Sequence, residues 1–196
     1  MSRRRLKAKI SFFDIDETIF HTHALINVVK DGEIVKKLTN KEFNTYKLQD
    51  GEEFDFSEFR DSLVFYNTSK PINNVIKLVK RYIDNIKGND RVIFLTARED
   101  FKDKEKFLDT FRKYGINIDH PNVYVERSGN LKFIEKVHQR KNFIVRKYLK
   151  TKLYSDVKMY DDSHNNLYNF IMLQKSFPDC NFNAVQVIGN GKLKKI

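Results

Sequence analysis

The feature that most limits what this chain can fold into is a regular exchange between two hydrophobic periods. Short apolar runs rich in β-branched and aromatic residues recur as KISFFDI (9–15), RVIFLTA (91–97), NVYVE (122–126), VKMYDD (157–162) and NAVQVI (183–188). Such runs are typical of strands covered on both faces. Between them lie helical patterns. Ile72, Val75, Ile76, Val79, Tyr82, Ile83 and Ile86 keep one face apolar, with Pro71 near the start and Gly88 past the end. Phe101, Leu108, Phe111 and Gly115 mark a further helix, Phe143, Ile144, Tyr148 and Leu149 another, and Leu167, Phe170 and Ile171 the last. Strand and helix taking turns predict an α/β fold: a mostly parallel sheet flanked by helices through right-handed crossovers. In such sheets ligands bind at the carboxyl ends of the strands.

Residues 20–70 break the alternation. ALINVVKDGEIVKKL holds two β-like runs around Asp31-Gly32, a strong short-range hairpin signal. The stretches that follow, EFNTYKLQDGEEFDFSEF and DSLVFYNTSKP, show no long amphipathic period. The reading is one domain over 1–196 with a β-hairpin-rich insertion at about 20–70, placed beside the first strand's carboxyl end. A chain of 196 residues is long enough for one sizeable core and a modest insertion.

The first strand poses a problem of charge. ISFFDIDETIF (10–20) puts Asp14, Asp16 and Glu17 against Ile10, Phe12, Phe13 and Ile15. Unpaired carboxylates beside a core cost several kcal/mol each, so something must offset them. Candidate partners stand at the ends of other strands: Thr96 after VIFL, Asp161 and Asp162 after VKMY, and Lys141, read as opening the helix before the Asp161 strand. A carboxylate nucleophile, a second acid two residues on, a hydroxyl, a lysine and a distal acid pair form a phosphoryl-transfer set. Strand alternation points Asp14 and Asp16 the same way, and the turn at Asp16 can aim a backbone carbonyl at a metal.

These motifs resemble those of the haloacid dehalogenase superfamily of aspartate-dependent phosphatases. DIDET looks like its first motif, DxDxT; FLTAR looks like its second; Lys141 resembles the third; MYDDS looks like the acidic fourth, all in the family's order across residues 9–188. The size and the hairpin insertion also look like the small phosphatases of this kind found in large bacteriophages. The resemblance implies a Rossmann-like sheet with a small cap and a Mg²⁺-dependent phosphomonoesterase. Asp14 attacks phosphorus to form an aspartyl-phosphate; Asp16 protonates the leaving oxygen and then activates water. Mg²⁺ is held by Asp14, the Asp16 carbonyl and Asp161, with Asp162 through water. Thr96 and Lys141 hold the phosphoryl oxygens, and Arg98 either contacts substrate or pairs with Glu99 or Asp100.

Rival readings accompany several positions. Lys136 is the first substitute for Lys141. Glu17 reads as solvent-facing or as a first-turn helix acid, and Thr18 as a structural hydroxyl near the nucleophile. Asn165 and Asn166 either steady Asp161 or cap the next helix. His21 and His23 lack partners at zinc spacing, His120 reads as loop, and His164 is placed to approach the site from the DDSHNN turn.

Charge speaks to partners. The formal net charge is +11, with Arg3, Arg4, Arg5, Lys7 and Lys9 at the start. Residues 132–152 carry Lys132, Lys136, Arg140, Lys141, Arg146, Lys147, Lys150 and Lys152 against the lone acid Glu135. A basic surface of this kind either gathers anions, nucleic acid included, or simply solubilises a Lys-rich chain. Against a polyanion stand Asp50, Glu52, Glu53, Asp55, Glu58 and Asp61 in the insertion. Tyr46, Phe54, Phe56 and Phe59 either stack on a base or form the insertion's own core. The expected substrate is a nucleotide, a nucleic-acid 3′-phosphate end or another small phosphomonoester. Two other classes compete: a basic nucleic-acid or partner-binding module on the same fold with little or no catalysis, and a receiver-type signalling domain, which Asp16 argues against. The lone Cys180 fits a reducing compartment, no apolar run reaches membrane-spanning length, and no signal peptide is read, so a cytoplasmic protein is expected, in the host if viral.

Overall fold

The computed structural model describes residues 7–43 and 45–196; Arg3, Arg4 and Arg5 lie outside the described residues. The chain opens with β1 (Ala8–Phe13), followed by a short β2 (Phe20–His21). An inserted unit comes next: β3 (Ile26–Lys30), β4 (Glu33–Leu38), α1 (Asn40–Phe43), β5 (Glu52–Asp55) and α2 (Ser62–Thr68). The chain then returns through β6 (Lys70–Pro71), which pairs with β2, and runs on as α3 (Asn73–Asp84), β7 (Arg91–Thr96), α4 (Lys104–Lys113) and β8 (Val123–Arg127). It finishes with α5 (Val137–Leu149), β9 (Tyr154–Asp161), α6 (His164–Met172), β10 (Asn181–Ile188) and β11 (Lys192–Lys195).

Six strands form the central sheet in the order β11-β10-β9-β1-β7-β8. All neighbours are parallel except the β10–β11 edge pair. The mostly parallel sheet flanked by helices is therefore as the alternation predicts; β11 has no counterpart in that reading, because KLKK is too polar to register as a strand. The order reverses at β1: after β1 the chain builds outward through β7 and β8, then crosses to β9 on the other side. A crevice at the carboxyl end of β1 follows from that switch.

Alternate residues of β1 serve two cores. Ile10 and Phe12 join Ile93, Leu95, Val157 and Met159 under Ile144, Val145, Leu167 and Phe170 of α5 and α6. Phe13 joins Phe94 and Val92 under Val75, Val79, Phe107 and Phe111 of α3 and α4. Each fully buried Phe or Ile contributes about 1.5–3 kcal/mol, so β1 is held from both faces before its acids begin.

The insertion is a three-stranded antiparallel sheet, β4-β3-β5. Its hairpin turns at Asp31 and Gly32, both with positive φ, 52° and 82°, as a two-residue primed turn requires. Ile26, Val28 and Leu38 pack with Phe43, Tyr46, Phe54 and Phe59 in a small core. Its last part is helical: Asp61 caps α2, accepting from the Leu63 and Val64 amides at 2.8 and 3.0 Å. Two turns are too short to show a period, so this helix is missing from the sequence reading. No helix among the described residues is long and apolar enough to cross a membrane.

Candidate active site

Strand β1 stops at Phe13, and the Asp14 amide donates to the Tyr160 carbonyl of β9 at 2.9 Å. This hydrogen bond pins Asp14 at the switch point. Lys141, buried in the second turn of α5 on the face that carries Ile144 and Val145, reaches the same place. Its Nζ lies 2.6 Å from Asp14 Oδ1 and 2.7 Å from Asp161 Oδ2. Asp161, fully buried at the end of β9, accepts from the Ser163 amide at 2.9 Å and from Asn166 Nδ2 at 3.0 and 3.1 Å. Thr18 closes the ring: its hydroxyl donates to Asp14 Oδ2 at 3.4 Å and accepts from the Asp162 amide at 3.0 Å.

The charges in this cluster do not balance. Oxygens of Asp14, Asp161 and Asp162 come within 4.8 Å of one another, and the one ammonium among them leaves two negative charges over. Burial, and then the neighbouring carboxylates, push Asp14 well above the ordinary carboxylate range despite the pull of Lys141. Burial and then the Asp161 charge push Asp162 up to about 6. Burial alone would lower Lys141, but Asp14 and Asp161 outweigh it and raise it, so it stays charged. A divalent cation fits such a donor set: three hard carboxylate oxygens and two excess negative charges. The Asp16 carbonyl is available as well, because the local bridge uses its neighbours instead, Phe20 N–H to the Ile15 carbonyl and Glu17 N–H to the Phe20 carbonyl.

Asp16 itself sits outside this cluster. Arg98 Nε lies 3.1 and 3.0 Å from its two oxygens and Nη2 lies 2.6 Å from Oδ1, while the Thr22 hydroxyl donates to Oδ1 at 2.7 Å. Burial would raise its pKa, yet the Arg98 charge and hydrogen bonds, with Thr22, bring it below the usual range. Arg98 is buried; its Nη1 donates to the Phe59 carbonyl of the insertion, and its guanidinium lies over the Phe59 and Phe65 rings at 4.7 and 4.9 Å. One side chain thus ties the end of β7, the Asp16 turn and the insertion together. Thr96, fully buried, accepts the Arg98 amide on its hydroxyl at 3.1 Å, leaving that hydroxyl's own proton to donate.

The backbone behind Thr96 is braced by a 3-10 turn, Ser128–Asn130. Ser128 donates to the Thr96 carbonyl at 2.8 Å, and a Cβ on Gly129 would sit 2.6 Å from the Arg98 carbonyl carbon. Only glycine lets the two loops approach this closely. Glu17, with φ of 55°, holds a left-handed turn; its carboxylate accepts from the Thr22 amide at 3.2 Å and lies 2.8 Å from His21 Nδ1.

The predicted residues fall as follows. Asp14, Lys141, Asp161 and Asp162 come together, with Thr96 at the adjacent strand end. Lys136 is exposed at the cap of α5, so it does not replace Lys141, and Lys141 lies one turn inside that helix rather than opening it. Strand alternation does not orient Asp14 and Asp16, since the strand ends before them; separate cationic partners do. Arg98 pairs with Asp16, not with Glu99 or Asp100, which take Arg60, Lys132, Lys104 and Arg127 instead. Each of its three nitrogens makes a hydrogen bond to Asp16 or to the Phe59 carbonyl, so in this arrangement it positions Asp16. Glu17 is a turn acid, with no helix following it. Asn166 steadies Asp161, whereas Ser163 caps α6 and Asn165 meets His138 at 3.1 Å. His164 is exposed at the start of α6, and His120 closes a loop by accepting the Asn122 amide at 3.0 Å.

The acidic run of the insertion is largely occupied. Glu52 takes Tyr46 and the Gln49 amide, Asp55 takes Asn27 and Ser57, Glu58 takes the Leu25 amide and Lys37, and Asp61 caps α2. Phe54, Phe56, Phe59 and Tyr46 pack in edge-on and tilted pairs within the insertion, which favours the core reading over base stacking. Thr22, Ser163, Gly129 and the Phe59 carbonyl are site components that sequence reasoning missed. No spacing announces them, because each acts through a loop whose path is set by tertiary contacts.

No protein-family model matches this chain, and no curated protein matches it.

Proposed function

We propose that this protein is a Mg²⁺-dependent phosphomonoesterase of the haloacid dehalogenase type, with the insertion as its cap and Asp14 as nucleophile. The observation that carries this reading is the buried Asp14 carboxylate, held on one oxygen by Lys141 beside an acidic cluster with two negative charges in excess. Asp14, Asp161 and Asp162, with the Asp16 carbonyl, are the groups that would hold a divalent cation, which when bound supplies charge neutralisation between an anionic nucleophile and an anionic ester.

The chain's own residues account for the rest. Lys141 and the Thr96 hydroxyl are the donors for the phosphoryl oxygens. Attack by an Asp14 oxygen forms the aspartyl-phosphate as the bond from phosphorus to the leaving oxygen breaks. Water then attacks phosphorus, the Asp14–phosphorus bond breaks, and Asp16 takes the proton from water. Asp16 returns that proton to the leaving oxygen of the next ester. The Arg98 pair favours the ionised form of Asp16, which suits the base role and makes the acid role the more demanding one. The substrate is a nucleotide, a nucleic-acid 3′-phosphate end or another small phosphomonoester.

The test is phosphate release from p-nitrophenyl phosphate and nucleoside 3′- and 5′-monophosphates, with Mg²⁺ and with EDTA, wild type beside Asp14→Asn. Metal-dependent release that disappears in the variant is expected. Equal release by both proteins would exclude Asp14 as nucleophile.

A further inference from the structure

Helix α5 buries Lys141, Ile144, Val145 and Leu149, and its opposite face meets solvent. Lys136, Arg140, Phe143, Lys147 and Lys150 fall on that outer face at helical spacing, within an arc of roughly 80° at 100° per residue. Four of the five are cations, and α5 contains no acid. Phe143 is 47% exposed and Phe133, in the preceding loop, 76%; the two rings meet edge-on with centroids 5.9 Å apart. An aromatic pair this open earns little from its own packing. The nearby acids are Glu135, which is exposed, and Glu126, which lies 3.3 Å from Lys147 Nζ and accepts from Tyr148.

The amino-terminal end of α5 lies near the site: Lys132, next to Phe133, pairs with Glu99 beside Arg98, and His138, in the first turn of α5 but off the stripe, meets Asn165 just past Asp161 and Asp162. From there α5 runs about 20 Å away from the site, toward the amino-terminal ends of the strands. A narrow line of cations with two open rings, on a helix whose first turn lies near an anion-handling site, matches a single nucleic-acid strand: phosphates track the cations and bases stack on the rings.

We infer that the outer face of α5 with Phe133 binds single-stranded nucleic acid and directs its phosphorylated end to Asp14, which narrows the substrate class and rests on the phosphatase reading above. The charge complementarity is one-dimensional, unlike the broad apolar face a membrane surface or a folded protein partner would need.

The experiment uses the full chain and a fluorescent oligothymidylate, with and without a 3′-phosphate, titrated across salt by anisotropy. Wild type, Phe133→Ala/Phe143→Ala and Lys136→Glu/Lys150→Glu are compared, with turnover of the 3′-phosphorylated strand and of p-nitrophenyl phosphate measured in parallel. Wild type should bind with a log–log salt slope of about −3 for roughly four neutralised phosphates. The aromatic variant should bind about tenfold more weakly, and the charge-reversal variant more weakly still with a shallower slope. Both should lose kcat/KM on the strand and keep it on p-nitrophenyl phosphate. Unchanged binding in both variants, a preference for anionic vesicles over the strand, or lost binding without lost strand turnover would overturn the inference. Variant-sensitive binding with no phosphate release from any ester would instead overturn the phosphatase reading and leave the binding surface standing.

Discussion

At the scale of single residues, two cations govern the site and they are not equivalent. Lys141 is a compact charge between Asp14 and Asp161, whereas Arg98 is a planar fork whose three nitrogens are all engaged. Lysine cannot reproduce that fork. Arg98→Lys should therefore lower stability by about 1–3 kcal/mol, since the Phe59 carbonyl and part of Asp16 lose their donors in a partly buried setting. Thermal or urea unfolding measures the loss, and an unchanged midpoint would show that the fork adds nothing beyond its charge. The sequence displayed Asp14, Asp16, Thr96, Lys141, Asp161 and Asp162 because each stands at a strand end or in a motif. It did not display that Asp16 belongs to Arg98, because that pairing spans 82 residues of chain and depends on where the insertion returns.

At the scale of elements, the strands and long helices were legible because their periods extend over many residues. Among the pieces that went unread are α1, α2, the β2–β6 pair, β11 and the Ser128–Asn130 turn, all too short or too polar to carry a period. The turn matters most for the site, since Gly129 lies against the Ala97 and Arg98 backbone. A methyl group there has nothing flexible to displace. Gly129→Ala should destabilise the protein by about 1–3 kcal/mol through overpacking and reduce turnover by shifting Thr96. A variant with wild-type stability and rate would mean that the two loops can separate at no cost.

At the scale of the whole molecule, the fold concentrates uncompensated negative charge at its switch point while carrying +11 overall. In metal-free protein the raised Asp14 and Asp162 favour their protonated forms on folding. Their contribution is fully stabilising below the unfolded carboxylate pKa near 4 and is lost as pH rises through about 6 for Asp162. A bound cation reverses this, because it needs the ionised carboxylates. Mg²⁺ should therefore raise Tm at pH 7.5 and raise it far less at pH 5, with Asp161→Asn abolishing the difference. A metal effect of equal size at both pH values would place the binding elsewhere.

The measurement that bears most directly on the account is chemical trapping of the nucleophile. Protein quenched during turnover of a phosphomonoester and reduced with borohydride should yield homoserine at position 14, found by peptide mass mapping of the Ile10–Lys30 fragment. Asp14→Asn should yield none. Steady turnover with no reducible acyl-phosphate at Asp14, or with the label at another carboxylate, would contradict the assignment of Asp14 as nucleophile.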